Sequence, residues 1–211
     1  LDKSIEGCLA LAIKINLWYD DVEVQEEIMY MYTNRRYEDS LDPGSAADPA
    51  TIGKLIAALA DGDWVTRQRA RESLVEIGKP AVAPLTEALA ESNERVRWEA
   101  ANALSEISDP TAAPALVKAL EDNSFGVRWL AAEGLISLGR EGLSPLLEAL
   151  VEHPESAWLR QGAHHVLRIL AEEGLYDHVT SVLQALEDIE PAIEVIQPAK
   201  AALDDLKQTR D

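Results

Sequence analysis

Hydrophobic positions recur along this chain in two alternating registers. The first is a short leucine spacing: LIAAL (Leu55–Leu59), LTEAL (Leu85–Leu89), LVKAL (Leu116–Leu120) and LLEAL (Leu146–Leu150), at steps of 30, 31 and 30 residues. The second is a longer pattern anchored on Arg67, Arg97, Arg128 and Arg160, which stand 30, 31 and 32 residues apart. Three residues after each arginine comes Ala70, Ala100, Ala131 and Ala163, and seven after comes Leu74, Leu104, Leu135 and Leu167. Those intervals put alanine and leucine on one face of a helix. Four residues before each arginine stands Asp63, Asn93, Ser124 and Ser156, all types whose side-chain oxygens cap a helix N-terminus. A helix is therefore predicted to begin at each of the four.

Breakers separate the units: Gly78-Lys79-Pro80, Ser108-Asp109-Pro110 and Gly139-Arg140-Glu141-Gly142. Glycine closes helices and proline opens them. The repeating unit is thus a helical hairpin of about 30 residues, which buries its apolar faces by stacking on its neighbours. The fold class predicted is all-α, an α-solenoid of about five hairpins spanning 49–208, with units near 49–78, 79–108, 109–139, 140–173 and 174–208. In the fourth unit, His153-Pro154-Glu155-Ser156 lengthens the inner turn by two residues. The fifth is degenerate: VLQAL (Val182–Leu186) reads as its first helix, and Pro191–Lys207 as a second helix without the arginine. An atypical polar last unit is what the open end of such a stack requires.

The first 37 residues break the pattern. Ile5, Cys8/Leu9, Ala12/Ile13 and Asn16/Leu17 predict one amphipathic helix; Val24, Ile28 and Met31/Tyr32 predict a second. They form either a cap on the stack or an appendage, joined through a linker over 38–48 that contains Pro43-Gly44-Ser45.

Composition narrows the function. Among 211 residues, 38 acidic side chains against 19 basic ones give a formal charge of −19. Such a surface repels phosphate backbones, so nucleic acid is not expected as a partner. The single cysteine, Cys8, excludes an intramolecular disulfide and fits a reducing compartment. No run approaches about 18 uninterrupted apolar residues, so no membrane span is expected. LDKSIEG lacks the basic start of a secretory signal, and the missing initiator Met fits a processed or trimmed chain. A cytoplasmic protein is expected.

The leucine-rich first helix, the acid that follows it and the VR…A…L second helix resemble HEAT repeats over roughly Asp48–Glu173. The likeness is to the short-period class also found in phycobiliprotein lyases. The acids are Asp61, Glu91 and Asp122, each six residues before its arginine, with Glu152 standing in for the fourth. The resemblance implies that these acids pair with the arginines along the stack, and Arg67, Arg97, Arg128 and Arg160 are expected to be a structural column. It also implies that the second helices line the concave face.

A catalytic constellation is not expected. HExxH, paired Cys-x-x-Cys, GxSxG and Gly-rich phosphate loops are all missing from the sequence. No His is followed by Glu, the dipeptide through which some HEAT-like hydroxylases hold iron. Neighbours such as His164-His165 point about 100° apart on a helix and do not readily chelate one ion. Neither a metal nor another cofactor is expected. His165 shares a column with Glu72, Asn102 and Glu133 and reads as a solvated position; His164 reads as a filler of the wider gap beside the lengthened turn. Trp98 and Trp129 share a column one unit apart, and their indoles are expected to be near one another. With Asn102, Glu133 and His165 they are the candidate partner-binding residues, suited to a basic or helical segment through cation–π and charge contacts. Trp98 and Trp129 read first as structural filler, each packing over its neighbour, and Trp18, Trp64 and Trp158 as plugs of seams. The expected function is a non-catalytic protein-binding scaffold or adaptor. The alternative is a subunit like the phycobiliprotein lyases, acting on a bilin or an antenna protein. A role like that of HEAT-like DNA glycosylases needs a basic channel that this chain does not carry.

Overall fold

The computed structural model describes residues 48–172 and 179–208. The chain divides into two units, Leu1–Ser40 and Leu41–Asp211, and every described residue belongs to the second. The two helices expected in the first 37 residues, the linker before Asp48, Cys8, Trp18 and His178 lie outside the described residues.

Every regular element among the described residues is a helix. The first hairpin is α1 (Pro49–Ala58) and α2 (Trp64–Ile77); the second is α3 (Lys79–Ala88) and α4 (Glu94–Ile107). A short 3-10 turn, Pro110–Ala112, leads into α5 (Ala113–Ala119), which pairs with α6 (Phe125–Leu138). The fourth hairpin is α7 (Arg140–Glu152) and α8 (Ala157–Glu172). Then come α9 (Val179–Leu186), α10 (Pro191–Glu194) and α11 (Ile196–Gln208).

Second helices lie side by side in the order α2, α4, α6, α8, while α1 meets α3 and α5 meets α7 in the other row. The alanine column makes the close approach possible: Ala100, Ala131 and Ala163 are fully buried, and so are Leu74, Leu135 and Leu167 beside them. From the first helices, Leu59, Leu85, Leu116, Leu146 and Leu150 are sealed in the seam between the rows. Each such leucine stabilises the stack by about 1.5–3 kcal/mol through area removed from water.

Three of the four caps form as the sequence predicts. Thr66 N–H donates to Asp63, Arg95 N–H to Asn93 and Leu159 N–H to Ser156. Ser124 does not use its hydroxyl; instead its own N–H donates to Asp122 Oδ1 at 2.7 Å. The three unit junctions each turn on one residue of positive φ: Gly78 (68°), Ser108 (52°) and Gly139 (56°). Serine at the middle junction is the exception that glycine normally avoids, and its hydroxyl donates to the Ser105 carbonyl at 2.9 Å.

The fifth hairpin departs from the expected register. VLQAL, in α9, packs against α8 of the second-helix row, and α11 packs against α7 of the first-helix row. The two rows are exchanged at this end. Arg140 on α7 donates to the Leu206 carbonyl at 3.3 Å, and His164 on α8 meets Glu187 just beyond α9. Packing decided this arrangement. Val195, Ala199, Ala202, Leu203 and Leu206 form a long buried stripe, and α11 lies with it against α7.

Candidate functional site

The arginine column caps the turn inside each hairpin. Arg67 donates Nη1–H to the carbonyls of Asp61 and Gly62, Arg97 to those of Glu91 and Ser92, and Arg128 to that of Asp122. Arg160 does the same to Pro154. In each case one acceptor is the carbonyl six residues upstream. These carbonyls follow the end of the first helix, where the backbone leaves acceptors without intrahelical donors and a partial negative charge collects. A cation there satisfies both. The lengthened fourth turn keeps the same offset because the acceptor is backbone, which Pro154 supplies as well as any residue.

Carboxylate pairing within a unit, expected from the acid six residues upstream, is corrected by the geometry. Of these acids only Asp122 reaches an arginine, that of the preceding hairpin, while Asp61 accepts from the Asp63 N–H at 2.8 Å and Glu91 is exposed. Asp122 holds Arg97 with two bonds, Nε–H to Oδ2 at 2.7 Å and Nη2–H to Oδ1 at 3.0 Å, while Asn123 Oδ1 accepts a third at 2.7 Å. That bidentate contact holds the Arg97 guanidinium above its ordinary pKa. Glu152, proposed as the fourth acid, is exposed at the end of α7 and does not pair with Arg160.

A second ionic contact escaped the sequence reading. Glu99 is buried on α4 and joins two arginines of α2: Arg71 Nη1 at 2.8 Å and Arg67 Nε at 3.3 Å. Arg71 also lies 3.7 Å from Glu106. The signal was present in the columns. Glu99 stands where the next unit has Leu130, and Arg71 where the next two have Ala101 and Ala132. Two opposite charges replacing apolar residues in adjacent units mark a buried pair.

The candidate partner-binding residues are placed unequally. Trp129 and His165 meet, with ring centroids 4.9 Å apart, and His165 Nε2 lies 3.4 Å from Glu133 Oε1. His165 is therefore not the solvated residue expected; its side chain is 16% exposed. Trp129 is buried, also meets Phe125 at 6.3 Å, and has an indole N–H with no hydrogen-bond partner. Its ring does not pair with that of Trp98. Trp98 is half-buried and lies over Gly126, where an added Cβ would fall 2.9 Å from its Cδ1. Asn102, one turn after Trp98, is half-buried on α4. His164 contacts Glu187 at 3.0 Å, so it bridges to the terminal hairpin. Trp64 and Trp158 are each 45% exposed and fill no seam completely. The Trp158 ring packs on the Arg128 guanidinium, 4.6 Å from Cζ to centroid.

Among the described residues no group of His, Cys, Asp and Glu is arranged to hold a metal ion, and no helix is long and apolar enough to cross a membrane.

The family model of HEAT repeats matches this chain at residues 52–136 and again at 82–168, together more than half its length. No curated protein matches it. Two crystal structures of engineered proteins are similar. One is 18% identical with a TM-score of 0.39, over 99% of this chain and 98% of that one. The other is 20% identical with a TM-score of 0.37, over 91% of this chain and 96% of that one.

Proposed function

This chain belongs to the HEAT-repeat family, and from that premise we propose that it is a non-catalytic scaffold that binds another protein along its second-helix face. Stacks of this kind present extended surfaces whose chemistry is set by equivalent positions on successive units. The observation that carries the reading is the line formed by Glu133, His165 and Trp129, drawn from two neighbouring hairpins and held together by a hydrogen-bond contact and a ring contact. A line assembled before the partner arrives loses little side-chain entropy on binding. Trp98 and Asn102 extend it across α4, and Glu72 across α2, where its carboxylate accepts from Gln68 at 2.8 Å.

Carboxylates on this line, in a chain of net charge −19, suit a basic segment. Such complexes form quickly and weaken as salt screens the attraction. Buried Trp129 serves here by positioning His165, so the contact itself falls to the half-buried Trp98, Asn102 and Glu133.

The test is affinity capture from an extract of the source organism, with wild type beside a Trp98→Ala/Asn102→Arg variant whose helicity is checked by circular dichroism. A discrete partner lost with the variant, and eluted from wild type by salt, supports the reading. A partner retained equally by both sinks it.

A further inference from the structure

Two arginines of the column, Arg128 and Arg160, have no carboxylate partner among the described residues, and Arg128 is the one that carries an aromatic ring in its place. Arg97 is neutralised by Asp122 of the following hairpin and Arg67 by Glu99. Arg128 donates Nη1–H to the Asp122 carbonyl at 2.7 Å, but no carboxylate among the described residues pairs with it. The sequence explains the loss. The position that gives Asp122 to Arg97 is occupied, one hairpin later, by Pro154 in the lengthened turn. The carboxylate of Asp122 is itself engaged by Arg97 and by the Ser124 N–H.

An aromatic plate stands where the acid is missing. The Trp158 ring lies 4.6 Å from Arg128 Cζ, the Phe125 ring centroid lies 5.7 Å away, and Trp158 is 45% exposed. Arg128 is half-buried, and among the described residues its remaining N–H groups make no hydrogen bond beyond the one to Asp122. A guanidinium stacked on an indole is fixed in its plane, and its free N–H groups form a fork matched to two oxygens of one anion.

We propose that Arg128 and Trp158 form a binding site for a side-chain carboxylate on an acidic peptide segment of a partner. The guanidinium donates to the two carboxylate oxygens, and the indole packs on the apolar residue beside the acid. The surrounding charge selects the anion: in a chain carrying −19, a singly charged carboxylate meets less repulsion than a phosphate. The site lies at the N-terminal ends of α6 and α8 and does not depend on the second-helix face binding anything.

The experiment is a titration of the full, isotope-labelled chain followed by nuclear magnetic resonance of the arginine Nε–H and tryptophan Nε1–H signals. The probes are a blocked Leu-Asp-Leu tripeptide, its Leu-Asn-Leu counterpart and inorganic phosphate. The Asp peptide is expected to move the Arg128 and Trp158 signals to saturation while leaving paired Arg97 in place. Binding should weaken at least tenfold with Asn in the peptide or with Arg128→Gln. Trp158→Ala, a change at an exposed residue, should weaken it too without loss of the fold. Equal binding of the two peptides, tighter binding of phosphate, or no movement at Arg128 in wild type overturns the proposal.

Discussion

Arg97 and Glu99 sit two residues apart on α4 and face opposite neighbours. Arg97 reaches forward to Asp122, and Glu99 reaches back to Arg67 and Arg71. Both are buried, so either charge left alone is costly. Glu99→Ala is expected to destabilise the chain by about 3–5 kcal/mol, because it strands arginines that are largely buried. The next pair of hairpins shows the apolar solution, Ala101 and Leu130 at the equivalent two positions. Arg71→Ala combined with Glu99→Leu should therefore recover most of that loss, read from chemical denaturation of the single and double variants. If the losses simply add, the pair is not coupled. Residue types in columns made the arginines legible, since each repeats at one offset. Their partners were not, because a column does not say whether a side chain turns to its own turn or to the next hairpin. Trp98 and Trp129 teach the same thing. They are identical in the sequence pattern, yet Gly126 opens space under one while Phe125 and His165 close around the other.

Helices and their ends were legible because capping chemistry is local. Asp63 and Asp109 each accept from a threonine hydroxyl and its N–H, Thr66 and Thr111 respectively. These bonds lower both carboxyl pKa values, with the hydroxyl contact the larger cause. A group whose folded pKa lies below its unfolded value of about 3.9 adds stability above that pH and loses it as pH falls through the folded value. Asparagine caps without titrating, so a chain carrying Asp63→Asn and Asp109→Asn should show a smaller fall in melting temperature between pH 6 and pH 2.5 (both values experimental settings, about the span of carboxyl titration). Equal falls would show that the caps do not contribute to acid sensitivity. The junction at Ser108 offers a gain. Its left-handed φ of 52° is freely available to glycine, and Ser108→Gly should raise stability by about 0.5–1 kcal/mol despite losing the hydroxyl bond to Ser105. A lower melting temperature would mean that this bond outweighs the backbone strain. Ser124 was misread as a side-chain cap: its hydroxyl makes no cap bond although its N–H is held by Asp122, and residue type at one position does not show which way a hydroxyl turns.

At the scale of the whole array, hairpins contact their neighbours and little else, so a perturbation should fade with distance along the stack. Leu203 lies buried on α11, which packs on α7. Leu203→Asp is expected to speed amide hydrogen exchange most in α7 and α8, and least in α2 and α4. A uniform increase would show that the array opens as one unit. The stacking order of the first four hairpins was legible from the period alone. The exchange of rows at the fifth was not, because VLQAL has the leucine spacing of a first helix, and only the buried stripe of α11 against α7 settles which row it joins.

The proposal about function comes down to which face meets a partner, and site-directed photo-crosslinking measures that face directly. A photoreactive residue would replace Asn102 on α4 in one variant, and Glu87, Lys118 or Glu148 in others; the last three are exposed at one repeated position on the first helices. The account predicts that the captured partner is labelled from Asn102 and not from the first-helix positions. Labelling from Glu87, Lys118 or Glu148, with none from Asn102, would contradict it and move the binding surface to the opposite side of the stack.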